Sequence, residues 1–245
     1  KFFKAEKCII YTDVEGVYTT DPNLIKTAKK INKISCEEML EMASLGAKVM
    51  QPASIQEARL NRVEVDVRST FSKKQGTNIT KKKNILGKNT IRGISFTKND
   101  AKLTLVGVKD KPGVAASIFK PLFENSINVD MVVQNISARG KETDLTFTIK
   151  LEDLVKTRKL IENNKLIKFK DLIVNKNVSK VSIVGVGMVT TPGITFRMFK
   201  ALAEKKINIE VISTSEIKIS VLINKKNLKK SVEILHQEFK LSNSL

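Results

Sequence analysis

The chain has 245 residues, enough for one large domain or two to three small ones. A hydrophobic fraction of 41% supplies sizeable cores, yet no apolar run is long enough to span a membrane, and the first residues carry no continuous apolar signal segment. The formal charge of +19 is mostly lysine spread along the whole chain, and only 5% of residues are aromatic, which argues for solvated faces and against a nucleic-acid interface with stacking platforms.

"KCIIYT" (residues 7–12) predicts a short buried-type strand, and "DVEGVYTTDPNL" (residues 13–24) a turn-rich loop. "SCEEMLEMASLGAKVM" (residues 35–50) opens with the capping pattern Ser-x-x-Glu and predicts a helix. Pro52 starts a second helix, and "VEVDVRST" (residues 63–70) reads as a strand. Some eighty residues in this βαα-β order are an α/β pattern too short for a complete wound sheet. Lys81 to Lys83 then read as a linker, and "TIRGISFT" (residues 90–97) as a strand without an obvious partner. The two cysteines, Cys8 and Cys36, make no disulfide framework and fit a reducing cytoplasm.

From there the chain repeats itself. "DKPGVAASIFKPLFENSINVDMV" (residues 110–132) and "TTPGITFRMFKALAEKKINIEVI" (residues 190–212) share Pro-Gly, a helical apolar stripe, Ile-Asn and a β-branched strand. Phe119 matches Phe199 and Asn128 matches Asn208 at an offset of eighty, and Gly107 matches Gly185 at seventy-eight. The first copy reads strand, helix, strand, strand, helix, strand: "AKLTLVGV", a helix with Val114, Ile118, Phe119 and Leu122 on one face, "INVDMVVQNI", an "RGK" turn into "DLTFTIK", "LEDLVKTRKLIEN" and "IKFKDLIV". That is a ferredoxin-like βαββαβ unit. The second copy ends after its second helix, so the spare strand at 90–97 is expected to complete its sheet, because an unpaired buried strand leaves backbone donors and acceptors unmatched.

A loop that leads into a helix start is a natural anion site, with free N–H groups and the positive end of the helix dipole. Both copies place Pro-Gly there. One Pro-Gly is an ordinary turn; two at matched positions bring a carboxylate site level with that reading. Asp110 stands beside the first loop, where it could receive an ammonium group, so the pair of features describes a small amino acid. The following strands carry Asn128, Asp130, Gln134 and Asn135, then Asn208, Glu210, Ser213 and Ser215, which either keep an edge strand soluble or line a seam between paired sheets. In the first segment, Thr12 and Asp13 end a strand, the usual place for ligand contact in open α/β sheets. Asp13 could accept from a ribose hydroxyl, Tyr18 could stack or hydrogen-bond, and Lys48 could meet phosphate or its own helix dipole. The one histidine, His236, reads as a plain surface or interface residue in a Lys/Glu-rich helix.

These words together resemble a known family. "YTDVEGVYTTDP", "EMLEMASLGAKVMQPASIQEAR" and "VRSTFS...GT" look like the C-terminal part of an aspartate kinase catalytic domain, and the repeats resemble the paired ACT domains that follow it. The resemblance implies an amino-acid-kinase α/β sandwich, in part, followed by two βαββαβ ACT domains. Its segments would be residues 1–80 from the catalytic domain, 81–97 as linker and added strand, and ACT domains at 98–176 and 177–245. It implies transfer of the ATP γ-phosphoryl group, with magnesium, to the side-chain carboxylate of L-aspartate, in the cytoplasm, for lysine, threonine and methionine synthesis. It assigns ATP contacts to Thr12, Asp13, Tyr18 and Lys48, and places the catalytic lysine-glycine motif and main aspartate contacts before Lys1, so that the chain alone is expected to be inactive. Asn23 stands where the family carries arginine after Asp-Pro, which removes a charged phosphate contact. For lysine and threonine as effectors, at seams between ACT domains of a homo-oligomer, the resemblance assigns Asp110, Lys111, Pro112, Gly113, Val114, Ala115, Asn128, Val129, Asp130 and Gln134, then Ile194, Thr195, Asn208, Ile209 and Ser215. No metal site of the protein's own is expected. The competing reading is a non-catalytic regulatory subunit or stand-alone amino-acid sensor.

Overall fold

The structure is a computed structural model that describes residues 5–47, 49–80, 90–136, 142–164, 166–188 and 190–243. It contains β1 (Lys7–Thr12), β2 (Lys33–Ser35), α1 (Cys36–Ser44), α2 (Pro52–Leu60), β3 (Glu64–Ser69), β4 (Thr77–Thr80) and β5 (Gly93–Lys109). After these come α3 (Val114–Glu124), β6 (Val129–Ile136), β7 (Glu142–Lys150), α4 (Leu154–Glu162), β8 (Asp171–Val184), α5 (Ile194–Glu204), β9 (Ile209–Thr214), β10 (Lys218–Asn224) and α6 (Leu228–Glu238). Two compact units result, one of Lys1–Thr97 with Lys180–Leu245, the other of Lys98–Ser179. No helix among the described residues is long and apolar enough to cross a membrane.

The first unit opens with a four-stranded sheet in the order β1-β3-β4-β2, parallel between β1 and β3 and between β2 and β4. Its core gathers Val17, Ile31, Ile34, Met39, Met42, Ile55, Val65, Val67 and Ile79. The capping pattern is realised in full: Ser35 Oγ accepts the Glu38 N–H at 3.1 Å, and Glu38 Oε2 accepts the Ser35 N–H at 3.2 Å. The helix is shorter than its apolar pattern suggests. It stops at Ser44 because Gly46 takes φ +108°, and a Cβ there would sit 2.3 Å from the Phe96 carbonyl oxygen.

The same unit holds the second repeat. Its strands run β5-β8-β10-β9, and α5 and α6 cover one face through Met198, Leu202, Val232 and Leu235. Ile91 and Ile94 share that core with Val181, Ile183 and Val221, and the Arg92 N–H donates to the Val184 carbonyl at 2.8 Å. The other face of the sheet is buried as well. Val184 packs into the core of the first segment, Ser95 Oγ donates to the Met42 carbonyl, and the Ser182 and Ser220 hydroxyls pair at 2.7 Å. Strand β8 is therefore buried on both sides from Val178 to Val184.

The second unit orders its strands β6-β7-β5-β8, with α3 and α4 over a core of Leu103, Leu105, Ile118, Leu122, Phe147 and Ile161. Phe119 meets Phe147 edge-on at 5.4 Å between centroids.

Two pairs of expected strands prove to be single strands. Residues 93–97 and 101–108 belong to β5, and 171–174 and the start of the second repeat belong to β8, while 90–92 and 167–170 lie before these strands. The polar breaks Lys98–Asn99 and Asn175–Asn177 look like turns because little core lies beneath them, but their backbone remains extended. The short strands β2 and β4, three and four residues, lack enough alternation to be read from sequence. The lysine linker at 81–83 and the turn at 139–141 lie outside the described residues.

Candidate functional site

The clearest site lies in the second unit, where the β5–α3 loop meets β6. A cavity of about 520 Å³ is lined by Val108, Lys109, Asp110, Lys111, Pro112, Gly113, Val114, Ala115, Ile118, Gln134, Thr143 and Leu145. It gathers seven residues singled out in the sequence: the whole stretch from Asp110 to Ala115, and Gln134 from the facing strand. Gly113 is the N-cap of α3 at φ +88°, and no side chain caps the helix. The Val114 N–H donates to the Lys111 carbonyl at 3.4 Å, so the later first-turn N–H groups are the ones that can serve whatever enters the cavity. Nothing lies within 4 Å of where a Gly113 Cβ would be, so the approach to the helix start is open. The lining carries both signs, Asp110 with Lys109 and Lys111, and Gln134 is able to donate and accept. Such a surface can hold a zwitterion by both ends.

Asn128, Val129 and Asp130 do not join this cavity; Asn128 and Asp130 are exposed and Val129 is half-buried. In the second repeat Gly193 repeats the geometry, an N-cap at φ +88° with no side-chain cap and open space around it. Ile194 turns its side chain into the core, while Thr195, Asn208 and Ser215 are exposed and Ile209 is half-buried. The Ser215 N–H is spent on the Lys218 carbonyl at 2.8 Å.

A second corner forms at the end of β1. Thr12 Oγ1 donates to Asp13 Oδ1 at 3.0 Å, and the Thr12 carbonyl accepts from the Thr70 N–H at 2.8 Å. Tyr18 pairs with Lys30 in an isolated antiparallel bridge. Burial raises the Tyr18 pKa and Glu15 adds to it, against Lys74. Its hydroxyl stays protonated and able to donate. Asp21 Oδ1 accepts the Asn23 N–H at 2.8 Å, so the asparagine closes a local turn. Lys48 lies outside the described residues.

Two groups escaped the sequence reading. Asp66 is buried on β3 under Lys7 and Arg68, 2.8 and 2.7 Å away, with Asn78 Nδ2 donating at 2.8 Å. Burial works to raise its pKa, but these hydrogen bonds outweigh it and hold the carboxyl at about 2. His236 is fully buried, not on the surface, and meets Thr19 Oγ1 at 2.9 Å. Burial pushes its pKa down. The Lys/Glu-rich surroundings hid it, since its contact lies 217 positions away in the chain.

Residues 1–69 match the amino acid kinase family, and residues 103–164 and 181–239 match the ACT domain. The regulatory subunit of aspartate kinase from Thermus thermophilus is 34% identical, with a TM-score of 0.58, and the match takes in 99% of that subunit and 61% of this chain. The chain belongs to the aspartate kinase family. The aspartate kinase of Pseudomonas fluorescens (strain SBW25) is 45% identical over 97% of this chain, and the chain spans 58% of that enzyme's length. Aspartokinase III of E. coli in complex with aspartate and ADP is 26% identical with a TM-score of 0.82, over 96% of this chain and 53% of that one. The same enzyme in complex with lysine and aspartate gives 25% identity and 0.78, over 97% of this chain and 52% of that one. As a member of the aspartate kinase family, the chain joins the C-terminal part of an amino-acid-kinase fold to two ACT domains.

Proposed function

We propose that this chain is the C-terminal part of an aspartate kinase, which transfers the γ-phosphoryl group of ATP to the side-chain carboxylate of L-aspartate to give 4-phospho-L-aspartate and ADP, in the cytoplasm. Thr12, Asp13 and Tyr18 would hold the nucleotide: a carboxylate that accepts from hydroxyls and a protonated phenol that donates suit ribose and base better than phosphate. Lys48 would supply charge to the phosphates, which bring magnesium with them. In the resembled family the lysine-glycine motif and the main aspartate contacts lie before the part that this chain matches, and the residues here would bind and orient the nucleotide. E. coli aspartokinase III, seen with aspartate and ADP, supports this reading.

The cavity at Asp110–Ala115 and Gln134 carries the regulatory half of the proposal: it is a site for free lysine or threonine. The α-carboxylate faces the helix start of α3 and the α-ammonium faces Asp110. An effector can shift the enzyme only by binding one arrangement more tightly than another. The E. coli enzyme seen with lysine favours the same ligand class. Pairing of ACT domains between copies would close the cavity and make a homo-oligomer.

The alternative, a regulatory subunit without catalysis, is favoured by the full coverage of the Thermus thermophilus subunit. The match of residues 1–69 to the amino acid kinase family weighs against it. Calorimetric titration of lysine and threonine, singly and then together, tests the cavity, with binding expected in the micromolar to millimolar range of metabolite sites, on the order of 1 µM–1 mM. ATP titration tests the nucleotide corner. Effector binding without ATP binding would leave the sensor reading standing and remove the kinase reading.

A further inference from the structure

Thr19 is fully buried beside Tyr18, and each of its polar groups is taken. Its N–H donates to the Lys29 carbonyl at 2.8 Å, and its carbonyl accepts the Ile94 N–H at 2.7 Å. Its Oγ1 accepts the Lys29 N–H at 3.0 Å and lies 2.9 Å from His236 Nε2. A hydroxyl that accepts from a backbone N–H still has one proton to give, and the imidazole is the group in reach. A bond from Thr19 to Nε2 would use that proton, and it requires the single ring proton of neutral His236 to sit on Nδ1. Nδ1 lies 3.4 Å from Ser242 Oγ, which can accept it.

Both partners that reach Thr19 from outside its own loop belong to the second repeat: Ile94 to the strand that completes its sheet, His236 to its last helix. The next residue, Thr20, is also buried, and its Oγ1 has no hydrogen-bond partner among the described residues. A buried hydroxyl without a partner works against the packed position of this segment. The segment is thus held in place by neighbours, not by its own preferences.

We propose that His236 is a positioning residue for the nucleotide corner: by accepting from Thr19 it fixes the backbone on either side, and so the place of Tyr18, from within the second ACT domain. The proposal rests on the reading of Tyr18 as a nucleotide contact. A histidine that merely fills core volume would be replaceable by any apolar residue of similar size. A positioning histidine is replaceable only by a side chain that can accept.

His236 is the one histidine of the chain, so its ring nitrogens give unambiguous signals. The protein expressed from its complete reading frame is used throughout. At about pH 8, where an ordinary imidazole is neutral, long-range 1H–15N correlation should show Nε2 bare and Nδ1 protonated. The opposite tautomer overturns the proposal with no variant needed. His236→Gln keeps an oxygen for Thr19, and His236→Leu keeps only bulk. Amide hydrogen exchange over residues 18–20 should quicken roughly three- to tenfold in His236→Leu and stay near wild type in His236→Gln. KM for ATP should rise by about the same factor in the leucine variant, with kcat changed less. Equal exchange in all three proteins, or equal losses in both variants that track global stability, overturns the proposal. Faster exchange in a protein that binds no ATP would keep the clamp and remove the nucleotide reading. Unchanged exchange in a protein that binds ATP would do the reverse.

Discussion

Val186 donates its backbone N–H to Glu38 Oε1 at 3.1 Å, so a helix of the kinase segment holds the residue that opens the Pro-Gly loop of the second repeat. Its counterpart in the first repeat is Val108, which lines the cavity. The same carboxylate closes the capping box of α1 and lies 3.5 Å from Arg92 Nε. Replacing Glu38 by Ala removes all three contacts, the buried ion pair to Arg92 among them. The expected loss is about 2–4 kcal/mol, and Glu38→Gln, which keeps size and an acceptor, should lose about half as much. Urea denaturation measures both. An alanine variant within about 0.5 kcal/mol of wild type, the range of an ordinary surface change, would show that the contacts carry little.

Asp110 and Gln134 face the cavity from two different elements. If each makes one hydrogen bond or ion pair to the effector, Asp110→Ala and Gln134→Ala should each weaken lysine or threonine binding roughly tenfold. Calorimetry on the two variants decides this, and full affinity in both would move the effector elsewhere.

Gly113 and Gly46 both adopt positive φ, but their surroundings differ. At Gly113 a methyl group meets nothing within 4 Å, so Gly113→Ala costs only its backbone strain, about 1 kcal/mol. At Gly46 the methyl would sit 2.3 Å from the Phe96 carbonyl, and backbone must move. Gly46→Ala is expected to lose about 3 kcal/mol or more. Melting temperatures should rank wild type, Gly113→Ala, Gly46→Ala in falling order; a reversed order would contradict the geometry.

The duplication was legible because both copies write their helix stripe and Ile-Asn strand start in the same order, and each stripe buries the residues its spacing selects, Ile118 and Leu122 in one, Met198 and Leu202 in the other. The Asp110–Ala115 cluster was legible because contiguous residues on one loop must stay together. What the sequence hid depends on distant partners. Asp66 looks like one more polar strand residue until β1 and β4 bring Lys7 and Asn78 to it. Ser182 and Ser220 look like a solvent-facing alternation, yet they pair inside a face covered by the kinase segment. Long strands such as β5 look like two because an exposed polar stretch resembles a break in pairing, although Asp100 is in register with Lys150.

His236 and Asp66 together set an acid limb of stability with two stages. Burial lowers the His236 pKa below 6.5, so the unfolded chain takes up the proton first. This contribution is complete above pH 6.5 and fades as pH falls below it. Asp66 sits at about 2 in the folded protein against an ordinary 3.8. Its contribution is complete above 3.8 and is lost as pH falls toward 2, and its size is about 2 kcal/mol. Urea midpoints followed by circular dichroism should therefore be level above neutrality, decline below pH 6.5, and decline again below pH 3.8. His236→Gln should flatten the first stage alone, and Asp66→Asn the second alone. A wild-type midpoint that stays constant from neutrality down to about pH 5 would mean that the folded ring accepts its proton as readily as the unfolded one, contrary to a neutral imidazole held by Thr19.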